Sequence, residues 1–269
     1  MSDPYFIIEP GVIKVPIILS VPHSGTEFPK ELQGNYIASK MTQPDDTDWF
    51  VHQLYDFAVE YGITIIHAKY SRWVIDLNRD PKSVPLYNDG RIITGLTTST
   101  DFFGKDIYIS EDKIPDKEEI ERRLEAYYWP YYAKIEALLK ERQTQFGKAL
   151  LWDAHSIRRS VPTIQKDFFP DMILGNNDEK TADPKLIEVA LENLKSGEFQ
   201  VNHNAPFKGG HITRYFGDTS NSIHSLQLEM NKILYMDDSE TSFDELRANK
   251  MRSILRKTFA ALIDKLNEL

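Results

Sequence analysis

The chain has 269 residues, of which 41% are hydrophobic and 27% charged, values typical of a globular protein with a sizeable core. This length predicts one large α/β domain, or at most two small ones. The net charge of −9 argues against nucleic-acid binding, which needs a basic face, and against docking on an anionic membrane. Because the chain contains no cysteine, disulfide scaffolds, cysteine zinc sites, iron–sulfur clusters and thiol nucleophiles are excluded.

The first ten residues have neither the basic nor the apolar region of a signal peptide. The apolar run that follows, Val15–Val21, is too short to span a bilayer. We therefore expect a cytoplasmic protein, a location that also fits the absence of cysteine.

Five short apolar runs are predicted to be β-strands, because they are rich in β-branched residues and bounded by turn residues. Their apolar residues are continuous rather than alternating, which is typical of parallel strands covered on both faces. The runs are Val15–Val21, Ile63–His67, Trp73–Leu77, Ala149–Trp152 and Ile223–Met230.

Four stretches between or after these runs carry apolar residues at helical spacing and are predicted to be helices. Thr47 or Asp48 is a suitable cap for the first helix, and Pro130 is expected to bend the second. The order of strands and helices predicts an α/β fold with a mixed, mostly parallel central sheet and helices on both faces. The helical stretches are Asp48–Tyr61, Lys117–Gln145, Asp183–Lys195 and Asp244–Asn267.

Three long loops, around residues 80–112, 156–180 and 202–220, contain aromatic residues and glycines rather than solvating polar tracts. Loops of this length within a compact domain are usually functional or disordered. Their composition favours a function.

Four predicted strands are followed by, or end in, reactive side chains. His23 follows the first strand, Asn78 and Arg79 follow the third, and His155 and Glu229 come with the last two. Ligands of open α/β sheets bind outside the carboxyl ends of the strands. The sequence therefore predicts a functional site at this edge of the sheet.

Two of these residues, His23 and His155, supply the imidazole ligands that hydrolytic zinc sites use. A third ligand should be a carboxylate or another histidine, and Asp46 and Asp48 are the nearest candidates. The alternative is that the two histidines only form hydrogen bonds at strand ends.

Glu229 lies in an apolar strand, where a carboxylate is costly unless it is paired or near a metal. Desolvation would raise its pKa towards that of a useful general base. Arg72 and Arg79 flank the run 73–77, where one can polarise a carbonyl and the other can hold a carboxylate. The alternative for all three residues is a structural ion pair.

The loop 204–217 combines a pair of glycines with Lys208, His211 and Arg214. Glycines allow the backbone to approach a ligand closely, and three basic or titratable side chains within seven residues suggest an anionic substrate. The alternative is a solvated turn with an incidental basic cluster.

Six segments together resemble the N-formylglutamate amidohydrolases, also called N-formylglutamate deformylases, of histidine degradation. They span most of the chain, so the resemblance covers residues 1–269 as a single domain. The segments are VPHSG at 21–25, DTDWFVHQLYDFA at 46–58, SRWVIDLNRDP at 71–81, LLWDAHSIR at 150–158, FKGGHITRYFG at 207–217 and HSLQLEM at 224–230.

This family resembles a branch of the zinc carboxypeptidase and aspartoacylase superfamily, which implies a phosphorylase/hydrolase-like fold and one zinc ion. The resemblance implies that His23, His155 and an acidic residue hold the zinc and that Glu229 is the general base. In the carboxypeptidases the acidic ligand stands three residues after the first histidine, a position that Thr26 occupies here. Asp48, which opens the predicted helix 48–61, is our first choice for this ligand, followed by Asp46 and Glu27.

The resemblance also assigns roles in substrate binding. It implies that Arg72 stabilises the oxyanion and that Asn78 and Arg79 hold the α-carboxylate of the substrate. Arg214 is our choice for the side-chain carboxylate, with Lys208 or Arg158 as alternatives.

The implied reaction is the hydrolysis of a small N-acyl amino acid, N-formyl-L-glutamate, to L-glutamate and formate. The alternatives are another N-acyl-amino-acid amidohydrolase or a carboxypeptidase-like zinc hydrolase, and, from a different class, a non-catalytic binding protein on a hydrolase scaffold. A small acyl pocket, filled by Trp49, Phe102 or Phe207, would favour a formyl substrate.

Overall fold

Within residues 3–82 and 95–269, which the computed structural model of the protein describes, seven strands form one sheet. The strands are β1 Tyr5–Ile8, β2 Ile17–Val21, β3 Thr64–Ala68, β4 Ala149–Ile157, β5 Met172–Gly175, β6 Val201–His203 and β7 Ile223–Asn231. Their order across the sheet is β1-β3-β2-β4-β7-β5-β6.

The centre of the sheet is parallel, since β3, β2, β4 and β7 run in the same direction. The edges are mixed, because β1 pairs antiparallel with β3 and β5 pairs antiparallel with β7. This arrangement confirms the predicted mixed, mostly parallel sheet. Parallel central strands bring the residues that follow β2, β4 and β7 to one edge of the sheet.

Helices cover both faces of the sheet, as predicted. On one face, the apolar side chains of β2, β4 and β7 pack against α2, α5 and α7, and on the other they pack against α4 and α6. The helices are α1 Ala38–Met41, α2 Val51–Leu54, α3 Lys117–Arg123, α4 Trp129–Phe146, α5 Pro184–Leu194, α6 His211–Phe216 and α7 Glu245–Glu268.

Side-chain alternation along β2 divides the core into these two layers. Ile17, Leu19 and Val21 point towards α7, whereas Ile18 belongs to the layer of α4. The hydroxyl of Ser20 lies 3.0 Å from that of Tyr131 in α4. The continuous apolar run of β2 is thus explained by helices that cover both faces of the strand, as the sequence predicted.

The predicted strand Trp73–Leu77 is wrong, since residues 71–79 form consecutive turns. We call residues 71–79 the tethered segment, because buried side chains from elsewhere donate hydrogen bonds to four of its carbonyls. These side chains take the place of a neighbouring strand, which explains how an apolar, buried run can lie outside the sheet. The pairs are Tyr36 to Trp73, Arg123 to Val74, Tyr132 to Leu77 and Tyr128 to Arg79, at 2.8–3.0 Å.

Two of the predicted helices are interrupted. The stretch 48–61 contains only the short α2, entered through Phe50 in a left-handed conformation (φ 62°), and a 3₁₀ helix, Asp56–Tyr61. The stretch 117–145 contains a π-helical turn, Leu124–Tyr128, between α3 and α4. This turn comes just before Pro130, which has no amide hydrogen to donate to the preceding turn.

The other two predicted helices are confirmed within one residue at each end. The carboxylates of Asp183 and Asp244 accept backbone hydrogen bonds at the starts of α5 and α7. Part of the predicted loop 80–112, residues 83–94, lies outside the described residues. Among the helices of residues 3–82 and 95–269, none is long and apolar enough to cross a membrane.

Candidate active site

The candidate site lies at the carboxyl ends of β2, β4 and β7. His23 follows β2 by two residues, and His155 lies near the end of β4. Glu229 of β7 is the register partner of His155. Both side chains point to the face of the sheet that packs against α4, because their strand neighbours Ala154 and Leu228 point to the opposite core. The sheet itself therefore sets the spacing of this pair.

Three buried residues present metal-ligand atoms to one another. One ligand atom each from His23, Asp48 and His155 lies within 4.8 Å of the other two. The carboxylate oxygen Oδ2 of Asp48 is 3.1 Å from Nδ1 of His155 and 3.7 Å from Nδ1 of His23. All three residues are at most 3% exposed. This cluster can hold a metal ion.

The two distances from Asp48 to the histidines suit a tetrahedral metal site. Zinc bonds to nitrogen and oxygen of about 2.0–2.1 Å place neighbouring tetrahedral ligands about 3.3 Å apart, and the two distances to Asp48 bracket this value. The opposite nitrogens of both rings face carboxylates, since Nε2 of His23 lies 2.7 Å from Oδ1 of Asp76 and Nε2 of His155 lies 3.2 Å from Oδ2 of Asp153. Each ring therefore turns Nδ1 towards Asp48, in the arrangement of a ligand oriented by outer partners.

The electrostatics of the cluster favour a buried carboxylate beside charged imidazole. Burial disfavours the Asp48 carboxylate, but hydrogen bonds to His155 and His23 outweigh this effect and lower the pKa of Asp48. Burial likewise disfavours a charged His155, yet Asp153 and Asp48 raise the pKa of His155 well above its ordinary value. The pocket thus favours positive charge at the position between these groups.

The choice among acidic ligands follows from what each side chain contacts. Asp46 accepts hydrogen bonds from the indole of Trp73 and the backbone of Phe102, both at 2.9 Å, and burial raises the pKa of Asp46 to about 6. Glu27 is half exposed and faces Lys69. The structure therefore groups Asp48 with the two histidines, and it groups neither Asp46 nor Glu27 with them.

Asp76, which the sequence analysis did not single out, connects the cluster of His23, Asp48 and His155 to the basic residues around it. Its Oδ1 accepts hydrogen bonds from Nε2 of His23 at 2.7 Å and from the backbone of Asn78 at 2.9 Å. Its Oδ2 accepts a hydrogen bond from Arg72 and lies 3.9 Å from Nε of Arg79. Burial opposes this charge, but Arg72, Arg79 and His23 together hold the pKa of Asp76 well below its usual range.

The surroundings of Glu229 shift its pKa into a range in which it can act as an acid or as a base. It is partly exposed, unlike its neighbours in β7. Desolvation raises the pKa of Glu229 to about 8, and the nearby Asp48 carboxylate adds to this effect, whereas His155 opposes it. Nε2 of Gln227 lies 3.4 Å from its carboxylate. A cation placed beside Glu229 would favour its carboxylate form.

Asn78 and Arg72 lie against the metal cluster, and Arg79 lies beside them. The amide of Asn78 contacts His155 at 3.0 Å and accepts a hydrogen bond from the backbone of Ile212 at 2.8 Å. A side chain on Gly210 would collide with this amide, at 2.2 Å, so glycine is required there. The tethered segment and the start of α6 therefore form one wall of the site.

The four remaining predicted binding residues differ in their surroundings. Arg214 of α6 donates a hydrogen bond to the carbonyl of Gly209, and His211 lies half-buried at the start of α6. Lys208 is exposed and pairs with Asp178 at 2.8 Å. Arg158 pairs with two carboxylates of the chain, as described below. Substrate binding by any of these four residues stays a prediction.

Two residues of this region were missed from the sequence, Asp76 and Lys232. A signal for Asp76 was available, because it lies four residues after Arg72 and two before Asn78, within one motif. Lys232 is only 2% exposed although it reads as an ordinary turn residue after β7. Lys232 contacts the carbonyl of Asp45, which is distant in sequence, so no local pattern predicts that this lysine is buried.

Comparison with known proteins gives consistent matches along this chain. A model of the N-formylglutamate amidohydrolase family matches residues 15–236. The N-formylglutamate deformylases of Pseudomonas putida and Pseudomonas aeruginosa are each 37% identical over 253 residues, which cover 93% of this chain and 93% of theirs. The chain belongs to the N-formylglutamate amidohydrolase family.

A solved structure of an N-formylglutamate amidohydrolase, from Ralstonia eutropha, has the same fold as this family member. It superposes with a TM-score of 0.79 and 25% sequence identity, over 99% of this chain and 98% of that one. The family match contains His23, Asp48, His155 and Glu229. The resemblance stated from six sequence segments is thereby confirmed.

Proposed function

We propose that this protein hydrolyses N-formyl-L-glutamate to L-glutamate and formate with the help of one divalent metal ion. The observation that carries the proposal is the buried cluster of His23, Asp48 and His155 beside Glu229, in a member of the N-formylglutamate amidohydrolase family. The proposal includes the cytoplasmic location and the place in histidine degradation expected from the sequence.

The metal would be held by Nδ1 of His23, Nδ1 of His155 and a carboxylate oxygen of Asp48. Two imidazoles and one carboxylate form the donor set of many zinc hydrolases, so we assign zinc. When bound, such an ion makes water acidic enough to act as a nucleophile near neutral pH and polarises carbonyl groups. Asp76 orients His23 through its hydrogen bond to Nε2.

Glu229 transfers the proton in the proposed mechanism. Its carboxylate takes a proton from the attacking water as a C–O bond forms at the formyl carbon. It then gives this proton to the departing amine as the C–N bond breaks, which yields formate and glutamate. A pKa raised to about 8 by desolvation favours the second step, and a neighbouring cation favours the first.

The basic side chains around the cluster bind the charged parts of the substrate. Arg72 stabilises the oxyanion that develops on the formyl oxygen, and removal of one such donor typically costs about 2.7–4 kcal/mol of transition-state stabilisation. Asn78 and Arg79 hold the α-carboxylate. Arg214, on the helix that begins beside Asn78, holds the side-chain carboxylate, with His211 adjacent to it.

The ring of Phe102 supports a small acyl group. The guanidinium of Arg72 lies 5.1 Å from the centre of this ring, and the backbone of Phe102 is bonded to Asp46. A bulky acyl chain beside Arg72 would have to displace this ring. A formyl group, which carries only hydrogen on its carbonyl carbon, requires no such movement.

The experiment is a formate-release assay on the metal-free and metal-restored protein. N-formyl-L-glutamate, N-formyl-L-aspartate and N-formyl-L-methionine are compared with N-acetyl-L-glutamate. Hydrolysis of the acetyl compound is followed by the acetate that it releases. We expect the highest kcat/KM for N-formyl-L-glutamate, loss of activity on chelation, and recovery with zinc. Full activity after complete removal of metal would contradict the metal-dependent mechanism, and preference for the acetyl compound would contradict the assigned substrate.

A further inference from the structure

Residues 45–48 form a turn, here called the acidic turn, whose last residue is the metal-ligand candidate Asp48. The turn lies between β2 and α2 and belongs to no helix or strand. The backbone amide of Asp48 is bonded to the carbonyl of His23 at 2.9 Å. The backbone of Asp48 is thereby anchored to His23, and contacts made along the turn add to the positioning of its carboxylate.

The beginning of the acidic turn is held by two cations. Nε of Arg158 donates a hydrogen bond to Oδ1 of Asp45 at 3.1 Å, and Nη2 of the same guanidinium contacts the same oxygen. Nζ of Lys232 donates to the backbone carbonyl of Asp45 at 3.4 Å. Arg158 is itself fixed by Glu240, which is 8% exposed and accepts a hydrogen bond from it at 2.8 Å.

The residue after the turn is also held. The hydroxyl of Tyr235 donates to the carbonyl of Trp49 at 2.9 Å and lies 2.8 Å from the hydroxyl of Ser156 in β4. Asp48 thus stands between two points that are attached to the sheet, Asp45 and Trp49.

The two cations come directly after neighbouring strands of the sheet, since β4 ends at Ile157 and β7 ends at Asn231. Arg158 is three residues after His155 on β4, and Lys232 is three residues after Glu229 on β7. Because His155 and Glu229 are register partners, their strands deliver the two cations to the same side of the site. The strands that carry the proposed reacting groups are therefore followed directly by the residues that hold the turn of Asp48.

We propose that Arg158 and Lys232 form a clamp on Asp45 that positions the carboxylate of Asp48 for metal binding, an inference that rests on the metal site of the proposed function. Both are positioning residues, since they act on the metal through Asp45 and the acidic turn. This role differs from the substrate-binding role that the sequence suggested for Arg158. A lysine buried to 2% exposure beside three carboxylate-bearing residues has a structural reason in this clamp.

The test is the zinc affinity of the full chain in the absence of substrate, measured by competition with a chromophoric chelator. The variants are Arg158→Met, Arg158→Lys, Lys232→Met and the nearly isosteric Asp45→Asn. Arg256→Met, which removes a partly exposed arginine of α7 from its pair with Glu60, is the matched control. Thermal unfolding of each variant is measured in parallel.

We expect Arg158→Met, Lys232→Met and Asp45→Asn to weaken zinc binding about 10–100-fold, the usual effect of losing an outer partner of a metal site. Arg158→Lys should recover part of this loss, because it keeps the charge without the fork of the guanidinium. The double variant that combines Arg158→Met with Asp45→Asn should bind zinc no more than twofold weaker than either single variant. The reason is that both substitutions remove the same interaction, the ion pair between Arg158 and Asp45. Arg256→Met should bind zinc like the wild type.

Unchanged zinc affinity in folded Asp45→Asn and Lys232→Met would overturn the clamp. So would an Arg158→Met variant that binds zinc normally but has a raised KM for N-formyl-L-glutamate, since that result assigns Arg158 to the substrate. Failure of the wild type to bind any divalent metal would instead contradict the proposed function. If Arg158→Met does not fold, Asp45→Asn and Lys232→Met decide between these outcomes.

Discussion

Asp76 and His23 form a buried hydrogen bond, 2.7 Å between Oδ1 and Nε2. Because the neighbouring arginines keep Asp76 ionised, its oxygen can only accept, and Nε2 of His23 must carry the proton. In the neutral ring the other nitrogen, Nδ1, then carries the free lone pair, and it lies 3.7 Å from Oδ2 of Asp48. The carboxylate of Asp76, which is not itself a candidate ligand, thus fixes which nitrogen of His23 is available to a metal.

Asp76→Asn should weaken metal binding about 10–100-fold, because the amide keeps the shape of the side chain but not its charge. The same change removes the carboxylate partner of buried Arg72, so stability should fall as well. Equilibrium dialysis with zinc and a urea titration measure the two effects. A variant with normal zinc affinity would show that His23 needs no charged partner.

Removal of the proposed ligands should abolish metal binding. His23→Ala, His155→Ala and Asp48→Asn are expected to lose most bound zinc and nearly all activity, because each takes away one of three donors. Elemental analysis of the purified variants gives the metal content. Glu27→Gln is the matched control, since Glu27 is half exposed and faces Lys69 instead, and it should retain stoichiometric zinc.

Glu229→Gln should keep the metal and the fold but lower kcat about 10²–10⁴-fold, the usual contribution of a general base. The substitution preserves the shape of the side chain and removes only its ability to take a proton. Steady-state kinetics and metal analysis on the same preparation provide the measurement. If the variant loses its metal, Glu229 is a ligand and the base must be another residue.

Arg79 and Arg214 can be separated with two substrates. Arg214→Ala should strongly impair hydrolysis of N-formyl-L-glutamate and barely change that of N-formyl-L-methionine, which has no side-chain carboxylate. Arg79→Ala should impair both alike, because both carry an α-carboxylate. The measurement is kcat/KM for each pair, and equal losses on the two substrates for Arg214→Ala would assign the side-chain carboxylate to Lys208 or Arg158.

Tyr132→Phe should raise KM for the substrate, measured at saturating zinc. The variant removes the donor to the buried carbonyl of Leu77, which costs about 1–3 kcal/mol of stability, and it releases the segment that carries Asn78. Tyr131→Phe is the control on the same helix. It also loses a buried hydroxyl, which contacts Ser20, but it does not touch the tethered segment, so its KM should be normal.

Much of the fold was predictable because it depends on local patterns. The apolar runs of β2, β3, β4 and β7 and the capped helices α5 and α7 were identified within a few residues. The short strands β1, β5 and β6 were not, because three or four residues give too weak a pattern. The run 73–77 has the composition of a strand, and only side chains distant in sequence, such as Arg123, give it another conformation.

The residue types of the candidate site were predictable from the sequence, but most of the contacts that hold these residues in place were not. Strand ends with His23, His155 and Glu229 were visible from the sequence, and the position of Asp48 at the start of a predicted helix ranked it first among the acidic ligands. What could not be derived is the set of partners around them. The contact between Lys232 and Asp45 joins residues 187 positions apart, and no local spacing predicts it.

The tethered segment separates two properties of the chain that could change independently. His155 and Glu229 are held by the hydrogen-bond ladder of the sheet, so the groups that would break the bond have a backbone-determined spacing. Asn78 and Arg79 follow a path set by side chains of α3 and α4, among them Arg123 and Tyr132. Substitutions on those helices can therefore alter which molecule is accepted while the reacting pair stays in place, a route by which relatives of this chain can diverge in substrate range.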